Sequence, residues 1–227
     1  MSATFEGRLS DSPYIEILWR GRVEQDYSPV CPADVRWNLL FTRYQGRVRV
    51  SVEGATSQFV PKNQYEGAEF LVIKFKLGVF MPYLPAGDLL NCDAELPGAA
   101  GTNFWLNGAA WQLPTFENAE AFVERLVRSD VLVTDQIVRS ALKDGPLDVS
   151  PRTVRRRFLT ATGLTPKAIE QIERAQKAAA MLEGGMPILD AVFEAGYADQ
   201  PHMTRSLRRF YGLTPAQIAR QQEPASA

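Results

Sequence analysis

Apolar and polar positions alternate with a period of two over much of the first third of the chain. In "GRVRVSV" (46–52), Val48, Val50 and Val52 share one face, the pattern of a half-buried strand. "YIEILW" (14–19), "WNLLFTR" (37–43) and "FLVIKFK" (70–76) are rich in β-branched and aromatic residues, with Gly and Pro punctuating at "SPVCPAD" and "EGAT". No helical crossover separates these segments, so an antiparallel sheet or a small, half-open barrel is predicted rather than a parallel α/β sheet. Residues 82–114, rich in Pro and Gly, predict a long irregular connection with room for one more strand.

Near Thr115 the period changes to that of a helix. "TFENAEAFVERLVRS" predicts a helix with its N-cap at Thr115 and a stripe of Phe122, Leu126 and Val127. "SDVLVTDQIVRSALKDG" predicts a second helix, ended by Gly145-Pro146. Further helices are expected over Ser150–Thr162, then after Pro166 with Ile169, Ile172 and Gln176 in phase, over Pro187–Ala195, around 200–210 and over Pro215–Gln222. The fold class expected is α+β. An antiparallel, β-rich, barrel-like domain (1–128) precedes an all-α domain (129–227).

The helical part contains a repeat. "SPRTVRRRFLTATGLTP" (150–166) aligns without a gap on "DQPHMTRSLRRFYGLTP" (199–215), a period of 49 residues. Val154, Phe158 and Ala161 match Met203, Leu207 and Phe210, a core stripe at i, i+4 and i+7. Both copies end in Gly-Leu-Thr-Pro, where the glycine suits a helix end and Thr-Pro suits the start of the next helix.

Opposite the apolar stripe of the first copy lie Arg152, Thr153 and Arg156, with Arg155 on the flank. Opposite that of the second lie His202, Arg205 and Arg209, with Arg208 on the flank. One cationic helix face is no more than a solvated surface often shows. Two at a fixed spacing point to a polyanion, because guanidinium groups bond phosphate oxygens and the O6/N7 edge of guanine. "PILDAVFEAGYADQ" supplies a preceding helix, with Ile188, Val192 and Ala195 inward and a bend at Gly196, which completes a helix-turn-helix plan. The overall charge of -1 hides a gradient. Residues 1–145 carry 14 Lys/Arg against 18 Asp/Glu, a net of -4, whereas residues 146–215 carry 10 against 7, a net of +3.

With "SPRTVRRRF…TGLTP", "A…ML…GMPILDAVFEAGYADQPHMTR" and "LRRFYGLTP", the stretch from Ser150 to Pro215 resembles the AraC/XylS family of bacterial transcriptional regulators. The resemblance implies two helix-turn-helix units joined by a long helix, here about Lys167–Leu182. Their recognition helices, Pro151–Leu159 and Gln200–Phe210, would enter adjacent major-groove segments of double-stranded DNA. It also implies transcription activation through contact with RNA polymerase, with repression by some members, and an N-terminal domain that senses an effector or forms a homodimer. "VCPADVRWNLLF" and "EFLVIKFKLGVFMPYL" resemble a subgroup whose N-terminal domain has no well-defined ligand. Two departures stand out. Gly145-Pro146 interrupts "SALKDGPLDVS" before the first recognition helix, and Ser206 replaces a larger polar side chain, a change expected to matter little.

Roles follow residue by residue. Arg152, Thr153 and Arg156, with His202, Arg205 and Arg209, are expected to face the groove. Arg155, Arg157 and Arg208 are expected to clamp phosphates. Gln200 either reads an adenine edge or takes a capping or phosphate role. Arg205 has a rival role, an ion pair with Asp190 or Asp199. Trp19, Trp37, Trp105 and Trp111 are candidates for an apolar effector pocket, the plainer reading being core material. A single histidine excludes a His-rich metal site, and no Gly-rich phosphate loop or nucleophile elbow is present, so no metal, cofactor or catalytic residue is expected. The two cysteines, Cys31 and Cys92, sit in no motif. They are expected to be reduced thiols, although an alkyl-acceptor or other enzyme targeted to DNA by the helical part is a rival reading, as is a pure interaction module. The start of the chain lacks a secretory pattern and no apolar run approaches a membrane span, so a cytoplasmic location is expected.

Overall fold

The computed structural model describes residues 2–98, 102–141 and 149–220. In chain order its first strands are β1 (Ala3–Leu9), β2 (Ile15–Val23), β3 (Val30–Cys31), β4 (Asn38–Tyr44), β5 (Arg47–Glu53) and β6 (Val60–Pro61). There follow β7 (Glu69–Phe75), β8 (Val79–Phe80), β9 (Asp93–Leu96), β10 (Asn103–Leu106) and β11 (Ala109–Gln112). Helix α1 (Ala119–Arg128) comes next, then β12 (Val133–Thr134), α2 (Gln136–Ala141), α3 (Pro151–Thr162) and α4 (Pro166–Glu183). The last elements among the described residues are α5 (Ile188–Glu194), α6 (Gln200–Tyr211) and α7 (Pro215–Arg220).

Two compact units result. One takes the chain up to Pro29, Arg36–Ala55 and Asn63–Thr165; the other takes Val30–Val35, Thr56–Lys62 and the chain from Pro166 onward. The first unit is built on an antiparallel sheet in the order β1-β2-β7-β4-β5-β9, an open sheet among the described residues. The four strands expected from alternation all form. The N-terminal strand β1 was not foreseen, and the connection at 82–114 holds three strands rather than one. In register, Leu18, Ile73, Leu39 and Val52 line up across one face, and Leu71, Phe41 and Val50 form the next row. Phe122 of α1 meets Phe41 on that face edge-on at 6.2 Å, and Phe104 of β10 meets Phe41 at 5.7 Å. These contacts bury the apolar row and fix α1 against the sheet.

Two helix boundaries differ from expectation. Helix α1 begins at Ala119, after Asn118 rather than Thr115, because the Asn118 side chain accepts the Thr115 N–H at 2.9 Å and closes a turn ahead of the helix. The second helix is shorter, because Val133 and Thr134 pair with Phe80 and Val79 as a strand. Asp135 then starts α2 by accepting the N–H groups of Ile137 and Val138 at 2.9 and 3.1 Å. Gly145-Pro146 and the end of the expected helix Pro215–Gln222 lie outside the described residues.

The edge strand β1 is tied to α1 by Arg8. Its guanidinium bonds both carboxylate oxygens of Glu120 and the carbonyl of Phe116, and the Ser10 hydroxyl donates to the same carboxylate. The bond from Arg8 holds the Glu120 carboxyl below the usual carboxylate range. A carboxyl depressed by folding adds stability that is complete above its unfolded value and is lost as the pH falls through its folded value. Denaturant titrations of wild type and Glu120→Gln across acid pH check this. The wild-type advantage is expected to be steady at neutral pH and to vanish below the ordinary carboxylate range; an advantage independent of pH would contradict it.

Candidate nucleic-acid interface

The two repeat copies fold as closely matched helices. Each of α3 and α6 is 12 residues long. The first N-cap is Ser150, whose hydroxyl accepts the Thr153 N–H at 3.2 Å; the second is Asp199, whose carboxylate accepts the His202 N–H at 2.6 Å. A helix N-terminus leaves N–H groups without intrahelical partners, so a short acceptor side chain there sets where the helix starts. Proline follows in the first turn of both. Each ends on a glycine in the left-handed region, Gly163 at φ 72° and Gly212 at φ 71°.

With both ends set, the faces are set. Phe158 and Ala161 of α3 are buried while Val154 is half-buried; Met203, Leu207 and Phe210 of α6 are all buried. The opposite faces carry Arg152, Arg155 and Arg156 on α3, and Gln200, His202, Arg205, Arg208 and Arg209 on α6, all exposed. Among the described residues, none of Arg152, Arg155, Arg156, Arg205 and Arg208 forms an ion pair. The pairing of Arg205 with Asp190 or Asp199 is therefore absent, and Asp199 serves as a cap. Thr153 is half-buried, with its hydroxyl 3.1 Å from that of Ser150. The His202 ring stands edge-on to Tyr197 at 5.1 Å, and the Arg209 guanidinium lies 5.0 Å from the Phe210 ring.

Arg157 corrects its expected phosphate-clamping role. Its Nε lies 2.7 Å from Oδ2 of Asp135, a side chain only 1% exposed. A buried carboxylate needs a cation or several donors, and Asp135 has both: the N–H groups that start α2 and the guanidinium of α3. Ser206 is a second correction. Its hydroxyl bonds that of Tyr197 at 2.8 Å, joining the segment after the Gly196 bend to α6, so the residue has a structural task. Burial of Tyr197 makes that partner valuable. Neither task shows in a helical periodicity, because each depends on a residue outside the helix.

The four tryptophans are dispersed. Trp37 is buried, edge-on to Phe80 at 6.4 Å. Trp111 is half-buried, stands edge-on to Phe122 at 6.2 Å and donates to the Leu106 carbonyl; Trp105, its hairpin neighbour, is 46% exposed. Trp19 lies under the Lys74 ammonium on another strand. A cleft of about 830 Å³ on the sheet of the first unit is lined instead by Phe41, Leu71, Leu113, Phe116 and Arg43, among others, and by none of the four tryptophans. Within it, Arg20 is paired with Glu6 and Glu117, and Arg22 with Glu69, while Arg43 has no ion pair among the described residues. No group of described residues could hold a metal ion, no helix among them is long and apolar enough to cross a membrane, and Cys31 and Cys92 are not in a disulfide.

The family described as "Helix-turn-helix domain" matches residues 146–221. The HTH-type transcriptional regulator VirS of Mycobacterium tuberculosis is 39% identical over 88 residues, covering 38% of this chain and 25% of that protein. The Virulence regulon transcriptional activator VirF of Yersinia enterocolitica is 38% identical over 66 residues, covering 29% of this chain and 24% of that protein. The Regulatory protein ada of Salmonella typhimurium is 31% identical over 94 residues, covering 41% and 25%. The chain thus spans about a quarter of the length of the curated relatives it matches. A solved structure of ToxT from Vibrio cholerae covers 99% of this chain and 100% of that one at 8% identity, with a TM-score of 0.45, a likeness too slight to bear on function.

The two closing glycines sit in different surroundings. A Cβ at Gly163 would stand 2.6 Å from the Ala86 carbonyl oxygen, whereas one at Gly212 would meet the Phe59 ring at 3.1 Å. The left-handed conformation costs an alanine about 1–2 kcal/mol at either site. A backbone oxygen cannot move aside as a side-chain ring can. Thermal unfolding is therefore expected to show a larger loss for Gly163→Ala than for Gly212→Ala; equal losses would contradict the close approach at Ala86.

Proposed function

We propose that residues 146–221, which match a helix-turn-helix domain family, are of the AraC/XylS type, and that this chain is a sequence-specific transcriptional regulator that binds double-stranded DNA with two recognition helices. One observation carries the reading: two helices of equal length, capped alike, each with an apolar stripe turned inward and an exposed face of arginines that form no ion pair among the described residues. On this reading residues 1–128 form the sensing part and residues 129–227 the DNA-binding part. Arg152, Thr153, Arg156, His202, Arg205 and Arg209 face base edges and sugars, Gln200 contacts the DNA from the start of α6, and Arg155 and Arg208 hold phosphates. The regulator names of the matched relatives support a transcriptional role. RNA polymerase, which the family resemblance implies, is the downstream partner proposed. The cleft, which holds Phe41, Leu71 and Phe116 together with Arg43, a cation with no ion pair among the described residues, is the seat proposed for a small-molecule effector, in place of a tryptophan-lined pocket.

Selection of bound duplexes from a random pool by the full chain tests the reading. A shared sequence is expected among the selected duplexes, and no enrichment would refute it. On a selected duplex, Arg156→Ala and Arg205→Ala are each expected to cost about 1–3 kcal/mol and to relax the preference at one position. Arg208→Ala is expected to weaken selected and random duplexes alike and to reduce the salt slope by about 1. Equal loss on both duplexes for all three variants would reduce the chain to a sequence-blind binder.

A further inference from the structure

The end of α6 is held by chain segments far away in sequence. The helix leaves its last carbonyls without intrahelical partners. The Ala33 N–H donates to the Phe210 carbonyl at 2.8 Å, and the Phe59 N–H donates to the Arg209 carbonyl at 3.4 Å. The two donors come from residues 30–35 and 56–62, which are laced together. Thr56 donates its N–H to the Asp34 carbonyl at 2.6 Å and accepts the Asp34 N–H on its hydroxyl at 2.8 Å, and β3 pairs with β6. The Gln176 amide of α4 donates to the Ala33 carbonyl at 2.9 Å. The Phe59 ring covers Gly212, where a side chain would intrude. Beside this contact Tyr211 is half-buried, and its hydroxyl pKa is pushed up to about 12 by partial desolvation and by the charges of Glu183 and Asp34.

We propose that residues 30–35 and 56–62 form a clamp on the last turn of α6, with Ala33 and Phe59 as positioning residues for Arg209 in DNA binding. The role of Arg209 rests on the function proposed above. Both clamp segments are continuous with the sheet: 30–35 lies between β2 and β4, and 56–62 between β5 and β7. Helix ends fray when their carbonyls lose partners, and the clamp supplies those partners where Arg208 and Arg209 sit.

The test uses the full chain with Phe59→Ala and, separately, Thr56→Val, which removes the hydroxyl that laces the clamp. Without DNA, both are expected to speed hydrogen exchange of the Tyr211 and Gly212 amides about tenfold, with the exchange of α3 unchanged. On a duplex selected from a random pool by the wild-type chain, Phe59→Ala is expected to weaken binding by about threefold to tenfold. In an Arg209→Ala background the same change is expected to have no further effect, while in an Arg152→Ala background it keeps its full effect. Unchanged exchange at the end of α6 overturns the clamp. Full additivity with Arg209→Ala, or an Arg209→Ala variant that binds as wild type, overturns the positioning role. Failure to select any duplex refutes the proposed function and the positioning role together, and leaves the exchange result to decide the clamp.

Discussion

Each recognition helix is fixed by what its backbone lacks. A helix begins with N–H groups and ends with carbonyl groups that have no partner within it, and burying either without one is costly. Ser150 and Asp199 answer the first need, and Gly163 and Gly212 open the way to the second. Once both ends are set, the 3.6-residue period dictates which side chains turn inward and which turn out. The caps set how far each helix runs, and the buried stripes of Phe158 with Ala161 and of Met203, Leu207 and Phe210 set which way its arginines point.

The two copies satisfy the same constraint with different neighbours. Around α3, the buried Asp135 binds Arg157 and starts α2, so one carboxylate fixes two helices. Around α6, the Tyr197–Ser206 bond joins the bend to the helix, and segments 30–35 and 56–62 take its last carbonyls. Each copy gives up polar groups to its surroundings and keeps, on the opposite side, arginines that form no ion pair among the described residues. This division suits a binding surface, because a guanidinium already engaged by a carboxylate has its charge offset and fewer N–H groups left for a phosphate or a base.

Much of this was legible in the sequence, for identifiable reasons. The four central strands were visible because β-branched residues alternate there, and the 49-residue repeat because both copies keep their stripe and their closing Gly-Leu-Thr-Pro. Strand β1 was hidden because "ATFEGRL" carries Gly7 and exposes most of its side chains at the sheet edge. Val133 and Thr134 read as helix because their pairing with β8 is a long-range contact, more than 50 residues away in sequence. In the interface, the exposed arginines could be read from the wheel. The tasks of Arg157 and Ser206 could not, since a period tells which way a side chain points and not what meets it there. The same limit applies to the tryptophans, whose size marks them as buried or interfacial without saying whether they meet one another.

The central claim is that both copies touch DNA as separate, equivalent units. Hydroxyl-radical footprinting of the full chain on its selected duplex tests this most directly. Two separated protected segments are predicted, with Arg156→Ala erasing one and Arg205→Ala the other. A single protected segment, or a pattern that both variants dim alike, would contradict the account.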